Sequence, residues 1–93
     1  MTESQLSLRC LHVLNALPGV RALKVHGSAM MEAGTPDLLV CYRGRFCAVE
    51  LKVGKNQPTL IQQRRLQQWA AAGAVVGVCR SVEEVLNLVK PPG

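Results

Sequence analysis

Asp37-Leu38-Leu39-Val40-Cys41-Tyr42-Arg43-Gly44-Arg45-Phe46-Cys47-Ala48-Val49-Glu50-Leu51-Lys52 decides the fold. Two β-rich runs, residues 37–42 and 46–52, flank a turn signal and read as a hairpin. Glycine at the first position of a Gly44-Arg45 loop matches a type II′ turn. Arg43 then pairs with Phe46, Leu39 faces Glu50, and Asp37 faces Lys52. Side chains alternate along a strand, so Ala48, Glu50 and Lys52 share one face, and Cys47, Val49 and Leu51 share the other. Opposed residues lie on the same face, which makes Asp37 and Glu50 diagonal neighbours with Cα atoms about 7–8 Å apart. A slip of one residue in register would move Asp37 to the other face.

Two carboxylates converging beside an ammonium suit phosphodiester hydrolysis. Mg²⁺ binds through one or two carboxylates and leaves positions for water and substrate phosphate. A cation there acidifies bound water, and the lysine offsets charge on the reacting phosphate. The competing reading is a surface ion pair, Asp37 with Lys52, with Glu50 solvated.

Outward from the hairpin, the chain alternates helix and strand. Residues 2–17 read as a helix, with Leu6, Cys10, Val13, Leu14 and Leu17 on one stripe, a Thr2/Gln5 capping box and a Pro18-Gly19 stop. Residues 20–25 form a strand and 26–36 a glycine-bearing loop. After a second loop at 53–58, Thr59 and Gln62 cap a helix that runs to about Ala72 before Gly73. Residues 74–79 read as a buried strand, and Ser81 with Glu84 as a third capping box before a helix over 82–89. Pro91-Pro92-Gly93 reads as a frayed tail. The order αβββαβα describes one α/β domain over residues 1–93, with about four strands in one sheet flanked by helices.

Gly34-Thr35-Pro36-Asp37-Leu38-Leu39-Val40, Ala48-Val49-Glu50-Leu51-Lys52, and Thr59-x-x-Gln62 ahead of a helix ending in Gly73-Ala74 carry a resemblance. In order and spacing these segments resemble the VRR-NUC (virus-type replication-repair nuclease) domain of the PD-(D/E)xK nuclease superfamily, in its standalone form. The resemblance implies a restriction-endonuclease-like αβββαβ core around a mixed four-stranded sheet. It implies that Asp37, Glu50 and the backbone carbonyl of Leu51 ligate Mg²⁺ or Mn²⁺ and that Lys52 is the catalytic lysine. Gln62 matches the family's glutamine facing the site, and Glu3 the first-helix acid that helps hold metal. Both have a second explanation, since Glu3 suits a helix N-terminus and Gln62 belongs to a capping box. Standalone members tend to be homodimers acting on branched DNA such as four-way (Holliday) junctions, in DNA repair, recombination and replication.

Eleven Lys and Arg against six Asp and Glu give a net charge of +5, which favours a polyanionic partner, nucleic acid first. The candidate phosphate contacts are Arg43, Arg45, Lys55, Arg64, Arg65 and Lys24, with His26 in the loop before Asp37. Aromatics are 3% of the chain, so a stacking platform for unpaired bases is not expected. Cys10, Cys41, Cys47 and Cys79 lack zinc spacing and sit in apolar runs, as reduced, mostly buried thiols do. No run approaches the roughly 20 apolar residues of a membrane span, and the polar start lacks a signal peptide, so a cytoplasmic protein without a small-molecule cofactor is expected. Trp69 reads as core packing or as part of a dimer patch. The functional expectation is a metal-dependent, structure-selective endonuclease. The alternatives are a non-catalytic nucleic-acid-binding domain and a nuclease acting on flaps or free ends.

Overall fold

The computed structural model describes residues 1–90; the tail expected at Pro91-Pro92-Gly93 lies outside them. The elements are α1 (Glu3–Asn15), β1 (Val20–Lys24), β2 (Leu38–Tyr42), β3 (Arg45–Leu51), α2 (Leu60–Ala71), β4 (Val75–Cys79) and α3 (Val82–Val89), in the order read from the sequence. The strands form one mixed sheet in spatial order β1-β2-β3-β4, antiparallel except for the parallel pair β3–β4. The α2 crossover is what makes that last pair parallel, because a tight hairpin can join only antiparallel strands.

Local chemistry explains the helix boundaries. The Thr2 hydroxyl accepts from the Gln5 N–H while the Gln5 side chain accepts from the Thr2 N–H, and Thr59 with Gln62 repeats this at α2. The third box is altered. Ser81 Oγ accepts from the Glu84 N–H at 3.1 Å, but Glu84 Oε1 accepts from the N–H of Arg80, one residue early. Ser81 therefore caps α3 without a reciprocal partner.

The hairpin differs from its sequence reading in turn and register. Tyr42 pairs with Arg45. The loop is Arg43-Gly44, with φ of 48° and 87°, the two positive values of a type I′ turn. The expected II′ turn would have kept Arg43 in the strand. An arginine accepts the left-handed conformation here because its N–H donates to the Gly19 carbonyl (3.0 Å) and its guanidinium stacks on the Tyr42 ring. Leu38 consequently opposes Val49 and Leu39 opposes Ala48, a shift of two from the expected pairing. An even shift leaves every side chain on its expected face.

β3 lies between β2 and β4, covered on both sides, and residues 47–51 are buried. Cys47, Val49 and Leu51 join Ala22, Leu38, Val40 and Cys79 beneath α1 and α3, which contribute Leu6, Cys10, Leu14, Val85 and Val89. On the other face α2 lies over β3 and β4, with Leu66 buried and Trp69 against Phe46 at 5.5 Å between ring centroids. The half of that face on β1 and β2 is open. Leu23 and Leu39 look there into a groove of about 750 Å³, walled also by Val25, Met31, Trp69 and Ala72. At the outer edge of β1 the Asn15 side chain stands in for a strand. Its amide donates to the Ala22 carbonyl (3.0 Å) and accepts from the Ala22 N–H (2.8 Å).

Three of the four cysteines are buried, Cys41 is exposed, and none is disulfide-bonded. Burial pushes the Cys79 thiol up to about 12 and raises Cys10 and Cys47, which keeps these thiols protonated. No helix among the described residues is long and apolar enough to cross a membrane.

Candidate active site

Asp37 closes the glycine-bearing loop and leads into β2. The preceding Pro36 is fully buried, and the Asp37 carbonyl accepts from the Val25 N–H, extending the β1–β2 ladder past both strand ends. Continuing the β2–β3 register by one residue sets Asp37 opposite Glu50, so the pair is direct rather than diagonal. Asp37 Oδ2 accepts from the Leu51 N–H at 2.7 Å, which fixes the carboxylate at the end of β3. Lys52 leaves β3 with its N–H bonded to the Cys79 carbonyl of β4, and its Nζ sits 4.0 Å from Glu50 Oε2.

Glu50 decides between the two sequence readings. It is 1% exposed, so it is no solvated bystander, and Lys52 pairs with Glu50 rather than with Asp37. Its Oε1 is buried and accepts no hydrogen bond. Burial first, then close approach to Asp37, pushes the Glu50 carboxyl from the usual 4.5 to about 8; the charge of Glu3 adds to the rise and Lys52 opposes it.

Glu3 completes the cluster from the first turn of α1. One carboxylate oxygen each from Glu3, Asp37 and Glu50 lies within 4.8 Å of the others. Three carboxylates this close repel one another, and the buried, unpartnered Oε1 leaves an acceptor directed at no protein donor. A divalent cation answers both conditions, and the all-oxygen donor set suits Mg²⁺ or Mn²⁺. Gln62 is half-buried with its Oε1 committed to the Thr59 N–H (2.9 Å), so only its amide nitrogen remains for another partner.

The candidate phosphate contacts separate into groups. Lys55 and Arg64 are exposed, on the loop after Lys52 and on α2. Lys24 and His26 line the apolar groove. Arg43 and Arg45 sit at the hairpin tip, and five residues of strand put Arg45 roughly 16 Å from Glu50. Arg45 is used inside the fold, since its Nη2 donates to the Leu88 carbonyl at the end of α3 (3.1 Å). Arg65 is likewise engaged, through Nε, with Glu32 at 2.6 Å and the Ala33 carbonyl at 2.9 Å.

Sequence reasoning missed Arg80, whose guanidinium donates to the Gly54 carbonyl (3.0 Å) and to Gln57 Oε1 (3.3 Å), bracing the loop that carries Lys55. It missed Glu32 as well. Neither belongs to a motif, because both act through contacts between residues more than twenty positions apart.

No family model and no curated protein matches the chain. Solved structures do. One described as a VRR_NUC domain is 28% identical over the whole of both chains, with a TM-score of 0.77. A VRR_NUC domain protein matches at 17% identity over 97% of this chain and 86% of its own, with a TM-score of 0.75. Hjc of Archaeoglobus fulgidus, a Holliday junction resolvase from an archaeal hyperthermophile, matches at 21% over 84% of this chain and 67% of its own, with a TM-score of 0.66.

Proposed function

The chain folds as a VRR-NUC domain, and on that footing we propose that it is a metal-dependent endonuclease that hydrolyses branched DNA, four-way junctions above all. The observation that carries this reading is the convergence of Glu3, Asp37 and Glu50, from three separate elements, around a buried oxygen without a donor, with Lys52 beside them.

Those three carboxylates would hold Mg²⁺ or Mn²⁺, with the Leu51 carbonyl as a further donor. Bound there, the cation supplies Lewis acidity, drawing charge from the scissile phosphate and acidifying water. The chain does the rest. Leu51 N–H orients Asp37, and Glu50 holds the Lys52 ammonium close enough to offset charge developing on the phosphate oxygens. The Gln62 amide nitrogen, left over from the capping box, would donate to water or phosphate, and Lys55 and Arg64 would neutralise flanking phosphates.

A single site cuts one strand, so paired nicks across a junction need two copies related by a two-fold axis. The groove lined by Leu23, Leu39, Met31 and Trp69 is the apolar surface a second copy would cover. DNA repair, recombination or replication in the cytoplasm is the setting that fits such a substrate.

The test is cleavage of end-labelled four-way junction, flap, duplex and single-stranded DNA with Mg²⁺ or Mn²⁺, against an EDTA control. Symmetric nicks across the junction, lost with EDTA, are expected. Cutting confined to flaps or free ends would move the activity within the nuclease class. Binding without cutting under every metal condition would leave a non-catalytic DNA-binding domain.

A further inference from the structure

Arg65 invites assignment to DNA because it is a cation on α2, the helix that also carries Gln62 and Arg64. Its surroundings say otherwise. Nε contacts Glu32 Oε1 at 2.6 Å and the Ala33 carbonyl at 2.9 Å, Nη1 donates to Gln68 Oε1 at 3.1 Å, and the side chain is only 20% exposed. We propose that Arg65 and Glu32 form a clasp that positions the metal-binding Asp37, and that Arg65 is a positioning residue rather than a phosphate contact.

The clasp joins α2 to the segment leading into Asp37. Thr35 Oγ1 donates to the Glu32 carbonyl at 2.6 Å, which tightens the turn held by Arg65. Gly34 has φ +79°, and a Cβ there would meet the Ile61 carbonyl oxygen at 2.9 Å, so the loop backbone rests directly on the first turn of α2. Pro36 is buried immediately afterwards, and Asp37 then bonds Leu51 N–H. The path from Arg65 to the carboxylate is short: Glu32 and Ala33 at its start are exposed, Gly34, Thr35 and Asp37 are half-buried, and Pro36 is buried. Glu32 is 60% exposed, so the ion pair adds little to global stability. Its effect is on geometry. A cavity of about 290 Å³ between this loop and Asp37 is room into which the aspartate can drift once the loop is released.

This inference rests on the nuclease reading and deepens it, and Glu32 supplies a test whose outcome differs in sign. If Arg65 touches phosphate, Glu32→Gln frees it and adds net positive charge, so junction binding tightens and turnover is kept; Arg65→Gln then raises KM and lowers the salt slope by about one, with kcat and metal affinity unchanged. If the clasp positions Asp37, Glu32→Gln and Arg65→Gln each weaken Mn²⁺ binding and lower kcat at saturating DNA by about ten-fold. The salt slope stays as in the parent, and the double variant is little worse than either single one. Gly34→Ala, which pushes the loop off α2, is expected to act in the same direction. Mn²⁺ titration by calorimetry and single-turnover cleavage, with thermal melts to confirm folding, read all of these. Parent protein that binds Mn²⁺ and cleaves, with folded variants unchanged in both, overturns the clasp alone. Parent protein that does neither overturns the nuclease reading.

Discussion

The two faces of the sheet use the same strand for opposite ends. Beneath α1 and α3, β3 presents Cys47, Val49 and Leu51 to a closed aliphatic layer in which Leu38, Val40 and Val49 have no exposure at all. On the α2 side the same strand presents Phe46, Ala48 and Glu50, a carboxyl group is buried without a full set of partners, and half the surface is left open. The first face is where apolar burial drives folding. The second accepts electrostatic cost at one end and exposed apolar surface at the other, the pattern of a face built to bind. A period of two in β3 is what keeps these tasks apart.

Substitutions on the two faces should therefore fail differently. The largest expected effect is at the acids: Glu50→Gln or Asp37→Asn lowers single-turnover cleavage by about three orders of magnitude, roughly 4 kcal/mol of barrier. Metal-free Glu50→Gln is nonetheless expected to melt higher than its parent. Leu38→Ala, on the closed face, should do the reverse. It costs about 2–5 kcal/mol in denaturant melts while cleavage per folded molecule holds. If both classes of variant lost activity and stability together, the division between faces would be broken.

The raised Glu50 carboxyl sharpens the contrast through pH. A carboxyl that titrates at 4.5 when unfolded and about 8 when folded favours the protonated native state. Metal-free protein should lose stability as pH rises between those values, by at most about 1.4 kcal/mol per unit, and level off above. Glu50→Gln should flatten that slope, and Mg²⁺ or Mn²⁺ affinity should rise across the same window as the proton is displaced. Melting curves from pH 4 to 9, with and without metal, would show it.

Smaller effects are expected at the open half of the α2 face. Leu23 is already 49% exposed, so Leu23→Asp should leave the monomer folded while weakening the proposed self-association by about 1–3 kcal/mol in sedimentation equilibrium. Smallest of all, Lys55→Ala and Arg64→Ala should each reduce the salt slope of DNA binding by about one with turnover intact. Arg45→Gln should leave that slope alone and lower the melting temperature, because its guanidinium serves the end of α3.

The sequence made the element order, two capping boxes and the shared face of Asp37 and Glu50 legible, each for a local reason. Capping depends on residues three apart, and facing depends only on whether a register count is odd or even. Spacing puts the turn at Gly44-Arg45, because glycine supplies positive φ most readily. That an arginine takes that conformation too depends on the Gly19 carbonyl, which spacing does not reveal. The two-residue error did no harm to the site for the same parity reason. Basic residues were harder to read. Arg45, Arg64 and Arg65 look equivalent as letters, and only their distant partners Leu88, Glu32 and Ala33 tell them apart.

Asn15 bears on how copies of this chain can assemble. With one side-chain amide occupying both hydrogen-bonding groups of Ala22, the sheet is terminated on the β1 side, and no incoming strand can zip onto it there. The opposite margin of the sheet is β4, which ends at Cys79 immediately before the cationic Arg80. Asn15 thus guards the β1 margin against runaway polymerisation, and removing that single amide would open it.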